Sequence, residues 1–177
     1  MVDSPSPVST TVRQVVESVP DPELPWLSLA DLGVIREVAQ GPAGVEVVIT
    51  PTYTGCPATE QIMDDIRTAL ARNGHPRSVV NLRLSPAWST DDVTEAGRRK
   101  MIEHGVAPPA PVGDSSGGEV AVSIGGRFAP TGTDPDLTCP RCGSHNTEII
   151  SPFGATACKA LVRCLDCREP FEWFKPL

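Results

Sequence analysis

An α/β (α+β) fold is expected for this chain, arranged as a small mixed domain followed by a β-rich, cysteine-bearing module. Three observations carry that expectation. Between residues 8 and 104, helical and strand periodicities follow one another in the order α, β, β, α, β, α, over about the length of an ordinary domain. Residues 105–136 then turn to Gly, Pro, Ser and Ala, the composition of a linker. Residues 137–177 hold five of the six cysteines, and a core that small usually needs a metal or disulfides to fold.

The elements follow in order. Ser9 can cap a helix that carries Val12, Val15, Val16 and Val19 on one side and stops before Pro20. Asp21-Pro22-Glu23-Leu24-Pro25 cannot continue it, because its prolines remove donors and force extended or turn geometry. Val34 to Val38 and Val45 to Ile49 read as a hairpin about the turn Gly41-Pro42-Ala43-Gly44. Cys56-Pro57 then opens a helix, with proline suited to the first helical position and Cys56 at or near the N-cap. Ile62, Met63, Ile66, Ala69 and Leu70 continue it to about Arg72, and Asn73-Gly74 ends it. Val80, Leu82 and Leu84 alternate with polar residues as a strand over 78–84, and a shorter helix runs from about Thr94 to His104. Within the linker, Val120 to Ile124 alternate as one added strand would.

Charge and hydropathy narrow the function classes. The 177 residues carry 15 Lys+Arg against 22 Asp+Glu, a net charge of −7. That balance argues against broad electrostatic capture of nucleic acid or an anionic membrane. No apolar run reaches membrane-spanning length, and Met1 to Val12 has no basic region followed by an apolar block, so a cytoplasmic location is expected. Between Leu137 and Leu177 five Lys/Arg face four acids, so composition gives the cysteine module no basic face.

The cysteines carry the chemistry. Cys139-Pro140-Arg141-Cys142 and Cys164-Leu165-Asp166-Cys167 are two C-x-x-C knuckles separated by 21 residues, close to the spacing of a four-thiolate zinc site. Each knuckle brings two sulfurs to one ion, and two knuckles close a tetrahedron. With strand character at 147–151, 161–163 and 171–174, the pattern reads as a zinc ribbon whose metal is structural. A disulfide framework and a redox or iron–sulfur site are the alternatives. His145 reads as a surface residue beside the first knuckle. Cys158 stays undecided between a small buried hydrophobe and a thiol activated by Lys159.

Cys56 is the reactive candidate. A thiol at a helix N-terminus faces free N–H groups and the positive end of the helix dipole, which favour thiolate, the form that binds iron or zinc. The loop from Thr50 to Gly55 can add N–H and hydroxyl groups. His75 and His104 sit where helix-end or surface histidines are common, so a Cys–His nucleophilic dyad has little support. No Gly-rich phosphate loop, H-E-x-x-H or G-x-S-x-G occurs either. Taken alone, Asp21 and Glu23 read as turn acids and Asp31-Leu32-Gly33 as a turn.

Taken together, Asp21-Pro22-Glu23, Asp31-Leu32-Gly33-Val34-Ile35 and Thr50-Pro51-Thr52-Tyr53-Thr54-Gly55-Cys56-Pro57 resemble the metal-sulfur cluster assembly domain family. Ser85 to Asp91, Gly105 to Pro109, and the tail containing Phe153-Gly154, Cys158-Lys159-Ala160 and Glu169 to Lys175 are similar to the D-type subunit family of bacterial phenylacetyl-CoA epoxidases. That resemblance implies an accessory maturation factor in aerobic phenylacetate degradation, not an enzyme itself, that assists assembly or delivery of iron or an iron–sulfur cluster. It implies Cys56 as the functional thiol, with Asp21, Glu23, Thr50 and Thr54 supporting it. Zinc at Cys139, Cys142, Cys164 and Cys167 would be the structural cofactor, and iron or a cluster a transient one. The implied partners are the oxygenase or reductase subunits, the iron–sulfur assembly machinery and a second copy of the chain, with no nucleic acid and no membrane. The alternative is a non-catalytic interaction subunit that handles no metal. The chain also lacks a pair of Glu-x-x-His motifs for a di-iron site and any flavin or nucleotide fingerprint.

Overall fold

The structure, a computed structural model, describes residues 10–53, 55–109 and 137–175. The Ser9 cap, Thr54, the linker from residue 110 onward and the strand expected at 120–124 lie outside those residues.

The first unit is a mixed α+β domain. Helix α1 (Thr10–Glu17) leads to the hairpin β1 (Ile35–Gly41) and β2 (Gly44–Ile49). Helix α2 (Thr59–Arg72) then crosses to β3 (Ser78–Leu82), and helix α3 (Glu95–Glu103) follows. The sheet order is β1-β2-β3, with β1 antiparallel to β2 and β3 parallel to it. A parallel neighbour requires a crossover, which α2 supplies. In register, Val38 faces Val47 and Val47 faces Val80, so the inward positions of three strands form one apolar band. Helix α2 packs on β3 and α1 packs on α2. The core that results holds Val12, Val16 and Val19 before the sheet, Val45, Val47 and Ile49 within it, and Ile62, Ile66 and Leu70 on α2. Each such side chain contributes about 1.5–3 kcal/mol through burial.

Two expectations shift at strand ends. The alternation over 78–84 predicts one half-buried strand, but β3 stops at Leu82, the partner of the last β2 residue, Ile49. The expected inward face is not buried there, since Leu82 and Leu84 are 46% and 53% exposed. The first strand likewise begins at Ile35 instead of Val34 and runs on to Gly41, because pairing with β2 persists up to the Gly41–Gly44 pair.

Asp31-Leu32-Gly33 is more than a turn. Gly33 has a φ of 66°, and a Cβ there would lie 2.1 Å from the Asp92 carbonyl oxygen. Around it, Trp88 Nε1 donates to the Leu32 carbonyl at 2.7 Å, the Thr94 N–H donates to the Asp31 carbonyl at 2.9 Å, and Lys100 Nζ bonds Asp31 Oδ2 at 2.5 Å. Segment 88–100 is thereby fastened to 31–33.

The second unit is a four-stranded sheet in the order β4-β7-β6-β5, made of β4 (Val106–Ala107), β5 (Thr147–Ser151), β6 (Lys159–Cys164) and β7 (Pro170–Phe174). Strand β4 falls inside the segment whose composition reads as linker, yet it pairs in parallel with β7, Val106 to Glu172 and Ala107 to Trp173. Ala107, Leu137, Cys139, Ala160, Val162, Cys164, Phe171 and Trp173 form its small buried core.

Candidate metal centre and thiol loop

The two knuckles are brought together at one end of the β-rich unit. Sγ atoms of Cys139, Cys142, Cys164 and Cys167 all lie within 4.8 Å of one another. Cys139 to Cys167 is 3.9 Å and Cys142 to Cys164 is 3.6 Å. Tetrahedral coordination with metal–sulfur bonds of about 2.3 Å has sulfur–sulfur edges of about 3.8 Å, so the donor set fits a closed four-thiolate site. Backbone geometry sets each knuckle. The Gly143 N–H donates to the Cys139 carbonyl at 2.9 Å with Gly143 at a φ of 75°, and the Cys164 N–H donates to the Glu169 carbonyl at 3.0 Å. A backbone N–H from Cys167 pulls the Cys164 thiol down to about 7, helped by the Asp166 N–H and by Cys142 against the effect of burial. Cys142, although the Ser144 N–H pulls it down, is pushed up to about 12 by Cys164 and its other sulfur neighbours. Cysteine binds a metal as thiolate, so loading of a four-thiolate site is coupled to proton release.

Cys158 is buried just before β6, with its Sγ 2.9 Å from Thr156 Oγ1. The ammonium of Lys159, also buried, is paired with Glu172 Oε2 at 2.7 Å. His145 is exposed.

The loop carrying Cys56 leaves the end of β2. Thr50 is buried, and its N–H bonds the Val34 carbonyl at 2.8 Å. Gly55 turns the chain at a φ of 87°, and the Cys56 N–H donates to the Tyr53 carbonyl at 3.2 Å. Cys56 is half-buried. It does not cap the helix: Ala58 is the N-cap of α2, without a side-chain capping bond. The Cys56 carbonyl is taken up in a turn by the Thr59 N–H at 3.2 Å, and the helical ladder begins with Ile62 N–H to Ala58 O at 2.9 Å. The thiol thus precedes the helix by a turn, and Pro57 lies outside the helix instead of opening it. Beside this loop, Thr50, Pro51, Thr52, Tyr53, Leu84, Ala87 and Trp88 line a depression of about 290 Å³.

Asp21 is buried, and its Oδ1 accepts the N–H groups of Glu23 and Leu24 at 2.9 and 2.8 Å. It organises its own proline loop, the turn role that the residues alone suggest. Glu23 is exposed.

Sequence reasoning missed Arg36 and Asp92. From β1, Arg36 Nε donates to Thr50 Oγ1 at 3.1 Å, while Nη1 and Nη2 donate to Asp92 Oδ1 and Oδ2 at 3.1 and 2.9 Å. Asp92 Oδ2 also accepts the Ser89 N–H at 3.0 Å, completing a capping box. The Arg36 guanidinium holds the Asp92 carboxyl below the usual carboxylate range, against the opposing effect of burial. One guanidinium thus ties the first residue of the thiol loop to the turn at 89–92, and it leaves the Thr50 hydroxyl its own proton to donate. Arg36 on a strand could have been noticed as a half-buried cation in need of a carboxylate.

Fold and site together define a two-part class, an assembly-type α/β domain joined to a four-cysteine β-ribbon. Residues 9–82 match the family model described as iron-sulfur cluster assembly protein, and residues 125–175 match the PaaD zinc beta ribbon domain. The chain is 44% identical over 161 residues to the D-type subunit of the putative 1,2-phenylacetyl-CoA epoxidase of Escherichia coli K12, covering 91% of this chain and 88% of that one. It belongs to the family of D-type subunits of phenylacetyl-CoA epoxidases. A Porphyromonas gingivalis Fe-S protein maturation auxiliary factor is 33% identical over 96 residues, covering 53% of this chain and 88% of the relative. The crystal structure of a DUF59 domain from Bacillus anthracis aligns with a TM-score of 0.48 at 26% identity, covering 51% of this chain and 88% of that one. Among the described residues, no helix is long and apolar enough to cross a membrane.

Proposed function

We propose that this protein is a cytoplasmic accessory maturation factor of the phenylacetyl-CoA epoxidase of aerobic phenylacetate degradation, that it does not itself catalyse epoxidation, and that Cys56 transiently holds the iron or iron–sulfur cluster being delivered. The likeness to the D-type epoxidase subunits along 91% of the chain is the observation that carries this reading. The chemistry at the loop supports it. Cys56 is half-buried, so a metal bound there remains reachable for ligand exchange. Stable iron–sulfur clusters are held by four protein ligands, commonly all thiolates. One thiolate leaves the remaining positions to the donor, the acceptor or a second copy of the chain, which suits handover more than storage. The Thr50 hydroxyl can donate to an anionic ligand on the cargo, and the ribbon, holding structural zinc through Cys139, Cys142, Cys164 and Cys167, docks the oxygenase or reductase partner.

The reading of an interaction subunit that handles no metal draws on the position of Cys56, two residues ahead of the Ala58 cap of α2. Anaerobic iron loading with metal analysis and spectroscopy separates the two. Wild type is expected to hold one zinc and a Cys56-dependent iron signal; Cys56→Ser keeps the zinc and loses the iron, and Cys164→Ser loses the zinc. An iron signal that survives Cys56→Ser would overturn the assignment.

A further inference from the structure

The two knuckles are joined by a chain of polar contacts that needs no metal. On the first knuckle, the Ser144 carbonyl accepts the Cys139 N–H at 2.8 Å, and the Ser144 N–H bonds the Cys142 sulfur. On the second, the Asp166 N–H bonds the Cys164 sulfur. The Asp166 carboxylate closes the gap: Oδ2 accepts Ser144 Oγ at 2.5 Å and Oδ1 accepts Asn146 Nδ2 at 2.8 Å. Two backbone links brace the same place, Leu165 N–H to the Asn146 carbonyl at 2.8 Å and Asn146 N–H to Ser144 Oγ at 3.0 Å. A continuous path, Cys139 and Cys142 to Ser144 to Asp166 to Cys164, therefore connects three of the four sulfur carriers.

We propose that Asp166 is a positioning residue that latches the two knuckles together, so that the ribbon keeps its ion and does not exchange it with metal handled elsewhere. The inference rests on the ribbon alone and does not depend on the role given to Cys56. A four-thiolate site holding a divalent cation has a charge of about −2, so a nearby carboxylate repels it. Relief of that repulsion would make removal of Asp166 slow metal release, whereas loss of the latch makes it fast. Asp166 is exposed, where water and salt screen the charge, and its two oxygens are both spent on the opposite knuckle. The latch is therefore the larger effect.

The test uses the zinc-loaded full chain. Release into excess chromogenic chelator, and displacement by Co²⁺ read from cobalt–thiolate absorbance, are compared for wild type, Asp166→Ala, Ser144→Ala and the double variant. Asp166→Ala is expected to release zinc about 10-fold faster or more. Ser144→Ala is expected to do the same, and the double variant to add little to either. Asp166→Asn keeps one carbonyl acceptor, is expected to fall between, and serves if the alanine variant purifies without zinc. An unchanged or slower release rate, or fully additive effects, would overturn the proposal.

Discussion

Carboxylates of the first unit act as fasteners, and their titration makes that role measurable. Asp92 is held below 3.8 by Arg36. For Asp31, burial pushes upward, but Lys100 and the Ser28 N–H and hydroxyl outweigh it, so its carboxyl is also lowered. A carboxyl lowered by folding stabilises the native state fully above its unfolded pKa, and that stabilisation is lost as pH falls through the folded value. Asp92→Asn is accordingly expected to lose about 1.5–3 kcal/mol at neutral pH, the range for hydrogen bonds to charged groups. Urea midpoints between about pH 7 and pH 3 would check this: the gap between wild type and variant should narrow toward the acid end. A constant gap would place the loss in shape and not in charge.

At the scale of elements, what is legible locally differs from what is not. Helix α1, the β1–β2 hairpin and α2 follow from periodicity and punctuation within short windows, and the knuckles follow from spacing. The Arg36–Asp92 pair joins residues 56 apart in sequence, beyond the reach of any local pattern. Strand β4 is only two residues long, within Gly/Pro-rich sequence, and exists through its pairing with β7. The start of α2 falls later than Pro57 suggests because a separate turn, closed by the Thr59 N–H on the Cys56 carbonyl, holds Cys56 and Pro57 ahead of the Ala58 cap. Gly33 shows the opposite case, a turn signal whose meaning is a close approach. Gly33→Ala combines a positive φ with a clash at the Asp92 carbonyl and is expected to cost about 2 kcal/mol or more. Thermal unfolding against a surface Ala→Gly control would show it, and a neutral result would mean that segment 88–100 can move off the turn at no cost.

For the whole molecule, the cysteines separate by role. Four converge at the ribbon end, Cys158 is buried beside Thr156, and Cys56 is set on a loop braced by Arg36 and Thr50. The structure assembles the four-sulfur cluster that sequence spacing leads one to expect. It places Asp21 and Glu23 in a proline loop, where Asp21 has a structural task of its own. The proposed function turns on delivery of metal through Cys56. Its most direct test is the metal content and turnover of phenylacetyl-CoA epoxidase purified from a reconstituted operon carrying either wild-type protein or Cys56→Ser. The variant is expected to fold, keep its ribbon zinc and yield under-metallated, inactive epoxidase. Fully metallated, fully active epoxidase from the Cys56→Ser operon would contradict it.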